Sequence, residues 1–115
     1  MSDDAPKPAR SDLLPGTLEM LVLRTLTSGP LHGYGIAQRL ERSTQGVLRV
    51  EPGSLYPALD RVMAKGWVTT AWSETPTGRR ARFYTITRSG KAQLRKKIAD
   101  YERVVWAITQ VLSET

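Results

Sequence analysis

Arginine dominates the chemistry this chain can do. Twelve of its 17 basic residues are arginine, set against 11 acidic residues. A guanidinium pairs well with phosphate and with guanine edges. The net charge of +6 and a pI near 10.1 suit a polyanionic partner. Groups for covalent or metal chemistry are scarce. There is no cysteine, and the single histidine, His32, offers no constellation for a zinc site or a Ser-His-Asp relay. Gly33-x-Gly35 lacks the further glycine, the lysine and the preceding strand of a phosphate loop. His32 therefore reads as a hydrogen-bonded turn residue, and no enzyme activity, metal or cofactor is expected.

Two stretches concentrate groups suited to a polyanion. In Glu51–Gly66, Leu55, Leu59, Val62 and Met63 recur at helical spacing and form one apolar stripe. Pro52 suits the first turn, Lys65 the last, and Gly66 the position just past the end. Pro57 removes one backbone donor and presses on the carbonyl of Gly53, so the helix is kept with an irregular first turn. Ser54, Tyr56, Pro57, Asp60, Arg61 and Lys65 lie away from the stripe. A short helix with such an outer face can enter a DNA major groove, and an ordinary surface helix is the competing reading. The second stretch is Arg79-Arg80-Ala81-Arg82, beside the turn residues Thr75-Pro76-Thr77-Gly78. Three arginines there make a compact anion-binding finger, with a solvated basic loop as the alternative.

These stretches need a frame. A first helix is predicted over Leu13 to Thr27, apolar around much of its circumference and hence buried on more than one side. Ser28-Gly29-Pro30 ends it. A second helix opens at Leu31, with Tyr34, Ile36, Ala37 and Leu40 as packing residues. Ser43 to Val50 connects it to the central helix. Trp67 to Glu74 and Arg79 to Thr87 alternate as the strands of a hairpin, on which Arg80, Arg82, Tyr84 and Ile86 share one face. Thr87 caps a last helix running to about Ser113. Its Leu94, Ile98, Tyr101, Val105, Ile108 and Leu112 repeat as a heptad seam along roughly 37 Å at 1.5 Å per residue. So long a seam calls for a second subunit, burial against the chain's own first helix being the alternative.

Three helices, a hairpin with a basic tip and a long helix make a mainly α chain with a β-hairpin wing. That order is a winged helix-turn-helix followed by a dimerisation helix. Residues 1–11 read as a flexible arm, 12–87 as the DNA-binding domain and 88–115 as the dimerisation helix. No apolar run reaches membrane-spanning length and the acidic, proline-containing start is no signal peptide, so the cytoplasm is the expected compartment.

Four motifs add to this reading. Leu13-Leu14-Pro15-Gly16-Thr17-Leu18-Glu19, Leu31-His32-Gly33-Tyr34-Gly35-Ile36, Pro52-Gly53-Ser54-Leu55-Tyr56-Pro57-Ala58-Leu59 and Gly78-Arg79-Arg80-Ala81-Arg82-Phe83-Tyr84 resemble, in order and spacing, the PadR family of bacterial transcriptional regulators. The resemblance covers Leu13 to about Leu94. It implies a homodimeric winged-helix repressor whose C-terminal helix drives dimerisation. It also implies recognition-helix contacts at Ser54, Tyr56, Pro57 and Ala58, and wing contacts at Gly78, Arg79, Arg80 and Arg82. The C-terminal part is similar to the short subgroup with a single terminal helix, which lacks the extra helices that build a ligand pocket in longer members.

Double-stranded DNA and a second copy of the chain are thus the expected partners, on an inverted repeat. A winged-helix module that binds protein without DNA is the competing function, and the wing arginines argue against it. An unidentified small-molecule effector stays open, since Trp67, Trp72 and Trp106 could line an aromatic site near the dimer seam or simply pack in the core.

Overall fold

The computed structural model describes residues 16–114. The expected arm at residues 1–11 lies outside them, as do the first residues of the predicted first helix. Helix α1 spans Thr17–Thr25, and Leu26–Ser28 tightens into a 3₁₀ turn. Leu18, Met20, Val22, Leu23 and Leu26 are all buried, so α1 is enclosed on most of its circumference. It forms the central post of the domain, against which α2 (Gly33–Ser43), α3 (Pro52–Ala64) and α4 (Arg88–Leu112) all pack.

Strands β2 (Val68–Glu74) and β3 (Arg80–Ile86) form the antiparallel wing, in register from Val68 with Ile86 to Glu74 with Arg80. A third strand accompanies them. The predicted second helix begins two residues late, because Leu31 and His32 form β1 and pair with Tyr84 and Phe83 of β3. The sheet order is β1-β3-β2. Pairing with β1 gives the backbone of β3 partners on both sides, which a two-stranded hairpin would leave to solvent.

Leu23, Leu26, Ile36, Leu55, Leu59 and Val62 centre the core, and Tyr84 and Ile86 reach it from the inward face of β3. Helix α4 is docked at its start. Thr87 accepts a hydrogen bond from the Gly90 N–H (3.0 Å) and donates one to the Gly66 carbonyl (2.8 Å). Gly90 packs so tightly on the wing's foot that a side chain there would collide with the Trp67 carbonyl and the Ile86 side chain.

The heptad seam of α4 divides in two. Leu94 is buried in the chain's own core, so it is not available to a partner as expected, and Ile98 packs half-buried against that core. Burying Leu94 within the protomer is worth about 2 kcal/mol. From Tyr101 onward the helix is exposed on every side, and Tyr101, Val104, Val105, Ile108, Val111 and Leu112 line one of them.

Candidate nucleic-acid interface

Helix α3 starts sharply because Glu51 is extended and Pro52 supplies the first helical residue. The Glu51 carbonyl accepts from both the Ser54 N–H (3.0 Å) and the Leu55 N–H (2.9 Å), a shared bond that tightens the first turn. The helix runs unbroken through Pro57 and ends where Gly66 turns left-handed (φ 75°). Leu55, Ala58, Leu59 and Val62 face inward. The outermost ridge consists of Gly53, Tyr56, Pro57, Asp60 and Ala64, all exposed. Ala58 is 0% exposed and belongs to the core, so the expected base contact at that residue is withdrawn. Ser54 is half-buried at the edge of the ridge.

The two flanks of α3 are tied down. Toward α1, Arg61 grips the buried Glu19 with two of its nitrogens, Nε to Oε2 at 3.3 Å and Nη2 to Oε1 at 3.4 Å. Lys65 Nζ stands 4.0 Å from the same carboxylate and 4.6 Å over the Trp67 ring. Burial by itself pushes the Glu19 carboxyl up. The Arg61 hydrogen bond and charge, the residue's own backbone N–H and the Lys65 charge outweigh it and hold the group below its ordinary value. Arg61 and Lys65, expected as outer-face DNA contacts, therefore turn sideways to orient the helix.

Toward the wing, the Tyr56 ring lies over Gly33. A Cβ at Gly33 would fall 2.6 Å from the Tyr56 hydroxyl. Tyr56 is still 46% exposed, so one edge of its ring stays open. Arg82 turns inward, its Nη2 3.4 Å from Met63 Sδ and its guanidinium 6.0 Å from the Tyr84 ring centre. Burial pushes the Tyr84 phenol up, Arg82 opposes this, and Tyr56 and Asp60 add to it. The expected trio of wing arginines thus splits, with Arg82 serving the joint between wing and helix.

Arg79 and Arg80 stay at the tip, both exposed. The tip is braced by the Thr75 N–H donating to the Arg79 carbonyl (2.7 Å) and the Gly78 N–H donating to the Thr75 carbonyl (2.9 Å). Gly78 takes φ 83°, a conformation costly for any other residue. Arg80 lies 5.8 Å over the Trp72 ring, which stiffens its stem.

Asp60, which helical spacing places on the outer face with Tyr56 and Pro57, sits exposed on the ridge of α3. The three tryptophans occupy three environments. Trp67 is half-buried between Lys65 and Lys97, Trp72 is 62% exposed on the wing, and Trp106 is 66% exposed on α4. Packing in the core therefore accounts for Trp67 at most. Trp106 lies roughly 140° around the helix from Tyr101, off the apolar side of α4. Among the described residues no cluster of His, Cys, Asp and Glu could hold a metal ion, and no helix is long and apolar enough to cross a membrane.

Residues 22–96 match the profile of the Transcriptional regulator PadR-like family. The chain belongs to the PadR family. PadR-family proteins are transcriptional regulators, not enzymes. Among relatives, an uncharacterised protein of Lysinibacillus sphaericus is 26% identical over 95 residues, covering 83% of this chain and 87% of that one. A transcriptional regulator from Clostridium thermocellum has the same fold, with TM-score 0.78 at 23% identity over 86% of this chain and 96% of that one. Bacillus subtilis PadR, solved in complex with operator DNA, superposes with TM-score 0.62 at 26% identity. That match covers 70% of this chain and 46% of the B. subtilis protein. The winged-helix architecture with a long C-terminal helix is thus that of PadR-like regulators.

Proposed function

We propose that this PadR-family chain is a cytoplasmic, homodimeric repressor that binds an inverted-repeat operator. One observation carries the reading. The ridge of α3 is left bare while both its flanks are fixed by contacts within the chain. Beside it stand the exposed Arg79 and Arg80, in a chain of net charge +6. The similarity to a PadR solved with operator DNA supports it.

In this reading residues 12–87 bind DNA. Helix α3 enters the major groove, where Tyr56, with Ser54 and Pro57 beside it, meets base edges or a thymine methyl. Asp60 accepts from a cytosine amine. Gly78, Arg79 and Arg80 approach phosphates or a narrow minor groove. Arg61, Lys65 and Arg82 hold the helix and the wing in register. Residues 88–115 supply the dimer seam through Tyr101, Val105, Ile108 and Leu112. A two-fold dimer places its two α3 helices on half-sites about 34 Å apart.

Selection of bound duplexes from a random library tests this. A palindrome with half-site centres about one helical turn apart is the expected result. Recovery of unsymmetrical sequences, or of none, contradicts it.

A further inference from the structure

Two large hollows share Tyr34 and Gln38 of α2 in their linings, and the rest of their chemistry differs. The hollow toward the α2–α3 connection, about 810 Å³, is lined by Glu41 and Glu51 as well as Arg42 and Arg49, and Arg49 stands 4.0 Å from Glu41. Its charges answer one another. The hollow between α2 and the wing tip, about 580 Å³, includes Tyr34, Gln38, Thr77, Arg79 and Arg80 and has no carboxylate in its lining. Two guanidiniums, a phenol, an amide and a hydroxyl all offer donors, and nothing in it repels an anion.

Its position is informative. His32, which also lines it, packs 5.2 Å from Phe83 of β3, and its buried Nδ1 has no hydrogen-bond partner. The next residue, Gly33, lies under the Tyr56 ring. The hollow thus reaches the wing tip, and only Gly33 stands between its His32 wall and the Tyr56 ring on the ridge of α3. Where α3 occupies a major groove and the wing the adjacent minor groove, the sugar-phosphate strand separating those grooves passes between them.

We propose that this notch seats that strand, with Tyr34 and Gln38 of α2 donating to its phosphate oxygens opposite Arg79 and Arg80. Tyr34, expected in the sequence as a packing residue, is 65% exposed. Its place at the mouth of a carboxylate-free notch gives it a role that burial does not. This assignment rests on the DNA-binding reading and adds α2 as a third grip on the duplex. Tyr34 and Gln38 act as positioning contacts, since phosphates carry no base identity.

The test uses the full chain and a short duplex recovered by selection, with single phosphates replaced in turn by uncharged methylphosphonates. Wild type should lose about tenfold in affinity at one or two adjacent phosphates per half-site, between the base pairs read by α3 and the groove entered by the wing. The double variant Tyr34→Ala with Gln38→Ala should lose about tenfold on unmodified duplex and become insensitive to that same replacement. Its salt dependence should match wild type because neither side chain is charged, whereas Arg79→Ala should flatten it. Both side chains are exposed, so the unfolding midpoint of the double variant should be that of wild type. If the double variant binds as tightly as wild type, or keeps its sensitivity at that phosphate, while Arg79→Ala weakens binding, the notch is not the seat and DNA binding stands. If wild type binds no duplex at low salt, both readings fall.

Discussion

Helix α3 and the far half of α4 are both exposed, yet they are exposed in opposite ways. The flanks of α3 are engaged by Glu19, Gly33 and the wing joint, and a ridge of Gly53, Tyr56, Pro57, Asp60 and Ala64 is left open. That ridge is narrow, polar in part and free of aliphatic bulk. The far half of α4 is exposed throughout its described residues and offers Tyr101, Val104, Val105, Ile108, Val111 and Leu112 together. Aliphatic side chains gain little from a groove lined by phosphates and much from another apolar surface. The difference teaches that exposure alone does not define a role: in the proposed reading it marks a reader in one place and a subunit seam in the other.

The strongest way to break the comparison is to charge the seam. Val105→Glu places a carboxylate where a partner helix must desolvate it, at a cost of several kcal/mol to association. Sedimentation should report a monomer, with helical content retained because Leu94 and the core are untouched. Wild type sedimenting as a monomer at micromolar concentration removes the seam from the account altogether. Gly90→Ala probes the docking of α4 instead. Its Cβ meets the Trp67 carbonyl, so unfolding in urea should show a loss of about 1–3 kcal/mol.

A smaller effect sharpens the role of the flanks. Glu19 is held below its ordinary carboxylate value, so its ion pair contributes stability above that value and loses it as pH falls through the depressed native value. Glu19→Gln should therefore be about 1–2 kcal/mol less stable than wild type at neutral pH, a modest figure because Arg61 is half exposed. The gap should close on acidification. A gap that stays constant across that range means the carboxylate charge contributes nothing.

Much of this was legible from local pattern. The wing, its tip, the Thr87 cap and the Pro52 and Gly66 boundaries all follow from residue types whose backbone preferences are strong. Long-range pairings were not. Strand β1 is only two residues long and exists because β3 needs a neighbour, which no periodicity announces. Arg61 and Glu19 are 42 positions apart, so nothing near Arg61 shows that it turns away from the outer face. The heptad in α4 marks an apolar side but not what covers it, and its first turns are covered by the chain itself. Ala58 is a different case. Its spacing of three from Leu55 and four from Val62 placed it on the inner face, and a family motif drew it outward against that signal.

The central claim is that α3 discriminates between sequences while the wing tip holds the backbone. Titration of operator and scrambled duplexes at several salt concentrations, with Tyr56→Ala and Arg80→Ala beside wild type, measures both roles at once. Arg80→Ala should weaken both duplexes alike and flatten the slope of log affinity against log salt by about two units per dimer. Tyr56→Ala should keep the slope, lose about 1–3 kcal/mol per half-site on the operator and leave the scrambled duplex nearly unchanged. An unchanged ratio of operator to scrambled affinity in Tyr56→Ala would mean that α3 is not the reader.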